Sequence, residues 1–164
     1  MATVLGKVSI GSDHGGFEAK GILIAHLEAR GVKVLDRGTY SHESCDYPLF
    51  AYKVANDVKD GLSDFGILIC NSGEGMAIAA NKIAGVRAAL LYNKEVAKLA
   101  REHNHANVIT FGASFFTPAQ MLEMLAAYMQ AEPLGDRHQR RVDEITAIDD
   151  HEDPEEAATK AAKC

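Results

Sequence analysis

The sequence has no tryptophan, few cysteines and no long apolar run. Its three cysteines are an odd number among 164 residues, irregularly spaced and without a Cys-x-x-Cys pair. This predicts neither a disulfide framework nor a zinc site. No apolar stretch approaches the roughly 20 residues that cross a bilayer, and the N-terminus lacks the charged-then-apolar layout of a signal peptide. We therefore expect a cytoplasmic protein with no membrane partner and at least one free thiol.

Positive charge is also scarce. The chain has 17 lysines and arginines against 23 aspartates and glutamates, a net charge of −6. Nucleic acids and anionic membranes attract basic surfaces, so neither is expected as the main partner. A locally basic pocket is compatible with this balance. The apolar fraction of 47% and the charged fraction of 24% are typical of a globular protein, and the length suits one domain.

Short apolar runs alternate with helical patterns along most of the chain. The predicted strands cover residues 4–10, 32–35, 65–70, 87–92 and 107–111. Each is followed by apolar residues at helical spacing, and a last helix is predicted from Gly135-Asp136 to about Ile148. Such α/β units predict a five-stranded parallel sheet with helices on both faces, whose ligands bind where the strands end.

The chain reads as one domain, residues 1–148, followed by a short tail. Residues 149–164 are acidic and rich in alanine, and they have no apolar period. We expect this tail to be disordered.

A thiol follows the third strand, in Cys70-Asn71-Ser72-Gly73-Glu74-Gly75-Met76. A helix N-terminus next to a cysteine stabilises the thiolate, and the same N–H groups can hold an oxyanion. The alternative is a buried cysteine that acts only as a small hydrophobe. The glycine loop is neither a P-loop nor a dinucleotide-binding fingerprint, and Gly73-Glu74-Gly75 alone is a weak signal.

Three other segments carry candidate binding residues. Asp13-His14-Gly15-Gly16 follows the first strand and could bind phosphate at a helix start, or Asp13 could simply cap that helix. His103 lies on an otherwise apolar helix face, where a satisfied core histidine is the usual explanation. Arg137 and Arg141 are one helical turn apart and suit a phosphate clamp, although a solvated basic stripe is equally compatible.

The order of these motifs resembles one family closely. The motifs are Gly-Ser12-Asp13-His14-Gly-Gly-Phe17, Asp46-Tyr47-Pro48, Gly-Ile-Leu-Ile-Cys70, Ser72-Gly-Glu-Gly-Met-Ala-Ile-Ala-Ala-Asn81-Lys82, Arg87-Ala-Ala, Arg101-Glu-His103-Asn104-His-Ala-Asn107-Val and Gly135-Asp-Arg137-His-Gln-Arg-Arg141-Val. Residues 7–148 thereby resemble the type B ribose-5-phosphate isomerases, a family that includes galactose-6-phosphate and allose-6-phosphate isomerases. The resemblance implies a Rossmann-like three-layer αβα sandwich and an aldose–ketose isomerase that needs no metal or organic cofactor. It also implies a homodimer, sometimes paired into a tetramer, with active sites between subunits.

The same resemblance implies a role for each candidate residue. Cys70 corresponds to the isomerisation base, His103 to a ring-opening histidine from the neighbouring subunit, and Ser72 to an assisting hydroxyl. The N–H groups of the glycine loop correspond to an anion hole, namely those of Gly73, Glu74, Gly75 and Met76. His14, Arg137 and Arg141 match phosphate-contacting positions. Asp13, Tyr47 and Asn104 match residues around the sugar hydroxyls.

Two departures from the family pattern bear on chemistry and substrate. Some members lack the cysteine and use a glutamate where this chain has Met76, so Glu74 is kept as a secondary candidate base. Many members carry a phosphate-binding arginine where this chain has Ser114. The resemblance makes ribose 5-phosphate the first expected substrate. Because this arginine is missing, a tetrose, allose or galactose phosphate is kept as an alternative substrate. A non-catalytic phosphosugar-binding module is the alternative outside enzymes. Cys45 and Cys164 are interpreted as incidental thiols.

Overall fold

A single parallel sheet forms the centre of the molecule in the computed structural model, which describes residues 4–163. Its strands, in the spatial order β2-β1-β3-β5-β4, are β1 Lys7–Ser12, β2 Lys33–Asp36, β3 Phe65–Cys70, β4 Ala88–Leu90 and β5 Val108–Gly112. Every neighbouring pair is parallel. The predicted five-stranded parallel sheet is confirmed.

Helices cover both faces of this sheet. They are α1 Phe17–Ala29, α2 Tyr47–Lys59, α3 Glu74–Ala80, α4 Lys94–Glu102, α5 Pro118–Gln130, α6 Arg137–Asp149 and α7 Pro154–Lys163, with a 3₁₀ turn at His14–Gly16. One core cluster joins the sheet to α1, α4 and α5, and a second joins it to α2 and α3. The fold is therefore a Rossmann-like three-layer αβα sandwich.

The first strand runs two residues further than the sequence indicated. Glycine and serine read as turn residues, but Gly11 and Ser12 pair with Leu68 and Ile69 of β3. A Cβ on Gly11 would lie 3.1 Å from Val54 Cγ2, so glycine there lets α2 approach the strand closely. The strand thus ends at Ser12, directly before Asp13.

The tail differs from its prediction, which is wrong for residues 154–163. These residues form helix α7, packed against α6. Asp153 Oδ1 accepts the N–H groups of Glu155 and Glu156, and alanine has the highest helix propensity. Acidic residues in the first turn and lysines in the last suit the helix dipole. Cys164 lies outside the described residues.

The loop between β2 and α2, residues 37–46, is anchored against the end of β1. Gly38 O accepts the Ser12 N–H, and Ser12 O accepts the Thr39 N–H, both at 2.7 Å. At its start, Asp36 Oδ1 accepts the Gly38 N–H at 2.9 Å and lies 2.5 Å from Nζ of Lys20, which is only 2% exposed. These bonds fix the start of the β2–α2 loop.

Across residues 4–163, we find no helix with the length and hydropathy needed to traverse a lipid bilayer.

Candidate active site

Cys70 ends the central strand β3 and is buried, with 4% of its surface exposed. The N–H of Gly73 donates to Cys70 Sγ at 3.2 Å. This hydrogen bond holds the sulfur against the backbone of the loop that follows β3. The side chain thus lies where parallel α/β sheets bind ligands, at the carboxyl edge of the sheet.

The loop after Cys70 turns sharply, and Gly73 makes the turn possible. Its φ of +81° is in the left-handed region, and a Cβ there would lie 2.6 Å from Leu90 Cδ1 and 2.9 Å from the carbonyl carbon of Phe111. Ser72 Oγ accepts the Glu74 N–H at 3.2 Å. Two of the four N–H groups of the predicted anion hole, those of Gly73 and Glu74, therefore have partners inside the loop.

This crowding predicts a large difference between two glycine substitutions. Gly61 also has positive φ, but a Cβ there meets nothing within 4 Å. We expect Gly61→Ala to lower the free energy of unfolding by the left-handed strain alone, about 1–2 kcal/mol. Gly73→Ala should lose a further 1–3 kcal/mol or so, because the Cβ collides with backbone. Urea unfolding of both variants measures this, and equal losses would contradict the crowded geometry.

The turn after β1 lies beside the Cys70 loop. Asp13 is 7% exposed, and its Oδ1 accepts the N–H groups of Gly15 and Gly16 at 2.9 and 3.2 Å. A Cβ on Gly16 would come within 2.7 Å of Ile69 O, so only glycine allows this approach to β3. Asp13 therefore does cap the turn, as the simpler interpretation held, and that capping brings the His14 side chain to the same edge as Cys70.

Three further predicted residues lie at this edge. The Tyr47 ring covers the start of α3, since a Cβ on Gly75 would lie 2.6 Å from Tyr47 Cζ. The Met76 side chain is fully buried in the core, which leaves only its backbone N–H available to a ligand. Glu74 is exposed. The carboxyl edge thus gathers the predicted residues from three segments: the β1 turn, the start of α2 and the β3 loop.

The Ser114 side chain contacts Asn71, a residue to which the sequence assigned no role. Its hydroxyl is hydrogen-bonded to Asn71 Oδ1, and its N–H donates to Asn71 O at 3.1 Å. This double contact ties the loop after β5 to the loop after Cys70. No local signal in the sequence pointed to Asn71 beyond its place next to the cysteine.

The remaining candidates form a second group. His103 caps the end of α4, donating its N–H to Leu99 O at 2.8 Å, and its ring stacks on His138 with centroids 4.1 Å apart. His103, Asn104, His138 and Arg141 line one cavity of about 410 Å³. Arg137 and Arg141 are exposed and one turn apart on α6, as predicted.

The two groups lie at opposite edges of the sheet. Cys70 is at the end of its strand, whereas α4 runs back across the face, so that His103 precedes the start of β5. Contacts near His103 are with strand starts: Arg87, just before β4, donates its Nε to His105 O at 3.0 Å. A helix of nine residues is about 13 Å long, which separates His103 from the carboxyl edge of its own chain.

Burial, and then the neighbouring His103, Arg137, Arg141 and His105, hold the pKa of His138 below its ordinary value of 6.5. In the pH range between the two pKa values, the His138 side chain is therefore protonated in the unfolded chain and neutral in the folded chain. We expect the free energy of unfolding to fall as pH drops below about 6.5, until the folded pKa is passed. Urea unfolding above and below this pH measures the effect. His138→Gln should show a shallower decline, and an unchanged decline would contradict the role of His138.

Within residues 4–163, no group of three histidine, cysteine, aspartate or glutamate side chains is arranged to hold a metal ion.

Comparison with known proteins gives a consistent result. A family model described as Ribose/Galactose Isomerase matches residues 8–145. Ribose-5-phosphate isomerase B of Escherichia coli K12 is 46% identical over 143 residues, covering 87% of this chain and 96% of that protein.

Solved structures agree in fold. Ribose-5-phosphate isomerase B of Clostridium thermocellum superposes with a TM-score of 0.87 at 43% identity, covering 88% of this chain and 98% of that one. The Mycoplasma genitalium enzyme, solved with bound ribulose-5-phosphate, gives a TM-score of 0.85 at 39% identity, covering 88% and 96%. Sequence, fold and edge geometry lead to one conclusion: the chain belongs to the ribose/galactose isomerase family.

Proposed function

We propose that this protein is a cofactor-independent isomerase that interconverts ribose 5-phosphate and ribulose 5-phosphate. The observation that carries the proposal is the buried Cys70 thiol, which accepts an N–H at the carboxyl edge of the sheet. The names of the relatives supply the substrate, and the bound ribulose-5-phosphate of the Mycoplasma genitalium enzyme supports it.

Cys70 is the base in this proposal. Its thiolate takes the C2 proton of the open aldose, and the electron pair moves to the carbonyl oxygen to give an enediolate. The N–H groups at the start of α3 face the negative charge that develops on the enediolate oxygen. Those of Gly75 and Met76 are in the first turn of the helix and therefore have no partner within it. The proton of the C2 hydroxyl passes to the C1 oxygen, the Cys70 thiol returns its own proton to C1, and the C2 carbonyl of ribulose 5-phosphate forms. Ser72 assists, and Asp13 and Tyr47 lie around the sugar hydroxyls.

A second copy of the chain completes the site. The proposed ring-opening His103, together with Asn104, Arg137 and Arg141, lies at the edge opposite to Cys70 within one chain. Strand β3 is six residues long, about 20 Å, which exceeds the reach of a five-carbon sugar phosphate. A homodimer that apposes the two edges brings both halves together. Its site then holds the phosphate between His14 of one subunit and two partner arginines.

The ring-opening step uses His103 in this arrangement. Ribose 5-phosphate enters as a cyclic hemiacetal, and the imidazole moves the proton that breaks the ring, helped by Ser72 or Asp13. The stacked His138 ring holds the imidazole plane. The remaining elements of the proposal are a single domain over residues 1–148, a cytoplasmic location and optional pairing of dimers into a tetramer.

One specific observation favours a second candidate, the same chemistry on another aldose phosphate. Ser114 is bonded to Asn71 where an arginine was expected, and loss of one charged hydrogen bond is worth about 1.5–3 kcal/mol. A smaller or larger sugar phosphate could therefore be preferred.

A panel of aldose phosphates tests the proposal. Isomerisation of ribose 5-phosphate is compared by kcat/KM with that of a tetrose phosphate, allose 6-phosphate and galactose 6-phosphate. We expect the highest kcat/KM on ribose 5-phosphate. A higher value on another sugar would establish the second candidate, and binding without any turnover would establish a phosphosugar-binding module.

A further inference from the structure

The His14 side chain receives a hydrogen bond from a backbone group of a distant loop. The N–H of Cys45, in the β2–α2 loop, lies 3.2 Å from His14 Nδ1. The Cys45 sulfur is farther from the same nitrogen, at 4.0 Å. The imidazole is otherwise exposed at the carboxyl edge, so its second nitrogen, Nε2, is open to a ligand.

The chemistry of a backbone amide decides the state of this ring. An amide N–H can only donate, so Nδ1 must supply a lone pair. The bond therefore requires a neutral imidazole whose proton is on Nε2. A Cys45 thiolate paired with a histidine protonated at Nδ1 is the alternative, but the amide is the nearer group and would then face another N–H.

The two segments that carry the partners of this bond are anchored by other contacts. The β2–α2 loop is tied to β1 by two backbone bonds of 2.7 Å between Ser12 and the pair Gly38 and Thr39. On the other side, Asp13 Oδ1 caps the turn that carries His14. The start of the loop that carries Cys45 and the turn that carries His14 are therefore both anchored to the end of β1.

We infer that the Cys45 main-chain N–H is a positioning group that fixes His14 as a neutral hydrogen-bond donor, with Nε2–H directed at an acceptor oxygen of the substrate. This deepens the proposed function and rests on it for the identity of that oxygen, a phosphate oxygen. His14 then contributes direction and not charge, and the charge of the phosphate is balanced by the arginines. It also cannot serve as a base, because Nε2 already carries a proton.

Two substitutions separate the nitrogens of His14. Glutamine can place its amide N–H near the position of Nε2, whereas asparagine can reach only the position of Nδ1, where its oxygen accepts the Cys45 N–H. We expect His14→Asn to raise KM for ribose 5-phosphate by about ten- to a hundredfold at nearly unchanged kcat, since a charge-assisted hydrogen bond is lost. His14→Gln should raise KM by a smaller factor than His14→Asn, because it keeps a donor near the position of Nε2. Equal losses, or the reverse order, would overturn the inference.

The state of the ring is measured without turnover. Long-range ¹H–¹⁵N NMR of the full chain labelled on histidine nitrogens reports which ring nitrogen carries a proton, and His14→Gln assigns the His14 signals among seven histidines. We expect an unprotonated Nδ1 and a protonated Nε2 at neutral pH. A proton on Nδ1 overturns the inference whatever the enzyme activity. Absent isomerase activity with the expected ring state would instead count against the proposed function alone.

Discussion

Cys70→Ala is expected to lower kcat on ribose 5-phosphate by at least 10²–10⁴-fold, the usual contribution of a positioned base. The substitution removes the sulfur that accepts the Gly73 N–H and, in our proposal, the group that takes the C2 proton. Steady-state kinetics with the purified variant measures the loss.

The fold is expected to survive this change, since Cys70 makes one side-chain hydrogen bond of 3.2 Å and the sheet pairing around it is backbone. Far-ultraviolet circular dichroism and urea unfolding check this. Cys164→Ala is the matched control and should keep wild-type kcat. Near-normal turnover in Cys70→Ala would contradict the assignment of Cys70 as the base and would favour Glu74 as the base instead.

Mixing two inactive variants should restore activity if the site is shared. Cys70→Ala and His103→Ala damage opposite edges of the sheet, so a mixed dimer contains one site with both defects and one with none. Random reassortment of equal amounts makes half of the dimers mixed, and about a quarter of wild-type activity is expected. Each variant alone should remain inactive.

The control for this experiment mixes two variants of the same edge. Cys70→Ala combined with Cys70→Ser leaves a defect in every site, so reassortment should restore nothing. Recovery in this control, or no recovery in the first mixture after confirmed subunit exchange, would contradict the proposal that a second chain completes the site.

Local patterns predicted the secondary structure well where one segment carries its own signal. The continuous apolar run 65–70 is strand β3 at its observed bounds. Thr117-Pro118 begins α5 with a reciprocal cap, in which Thr117 Oγ1 accepts the Gln120 N–H and Gln120 Oε1 accepts the Thr117 N–H. In the tail, the high helix propensity of alanine outweighs the lack of an apolar period, and α7 forms.

The sequence did not predict which residues from distant segments contact each other. Cys45 reads as an incidental thiol, yet its amide meets His14, 31 residues away. Ser114 meets Asn71 across 43 residues, and His103 stacks on His138 of another helix. Which side chains meet depends on how the strands are ordered in the sheet and how the loops pack, and neither is encoded in residue spacing.

Solvent deuterium uptake tests the central claim, proton transfer by Cys70, most directly. Ribose 5-phosphate is incubated in D₂O with wild type or with Cys70→Ala, and NMR follows the C2 position of ribose 5-phosphate and the C1 position of ribulose 5-phosphate. We predict deuterium at both carbons with wild type and none above the enzyme-free rate with Cys70→Ala. Equal deuterium uptake with the two proteins would contradict the account.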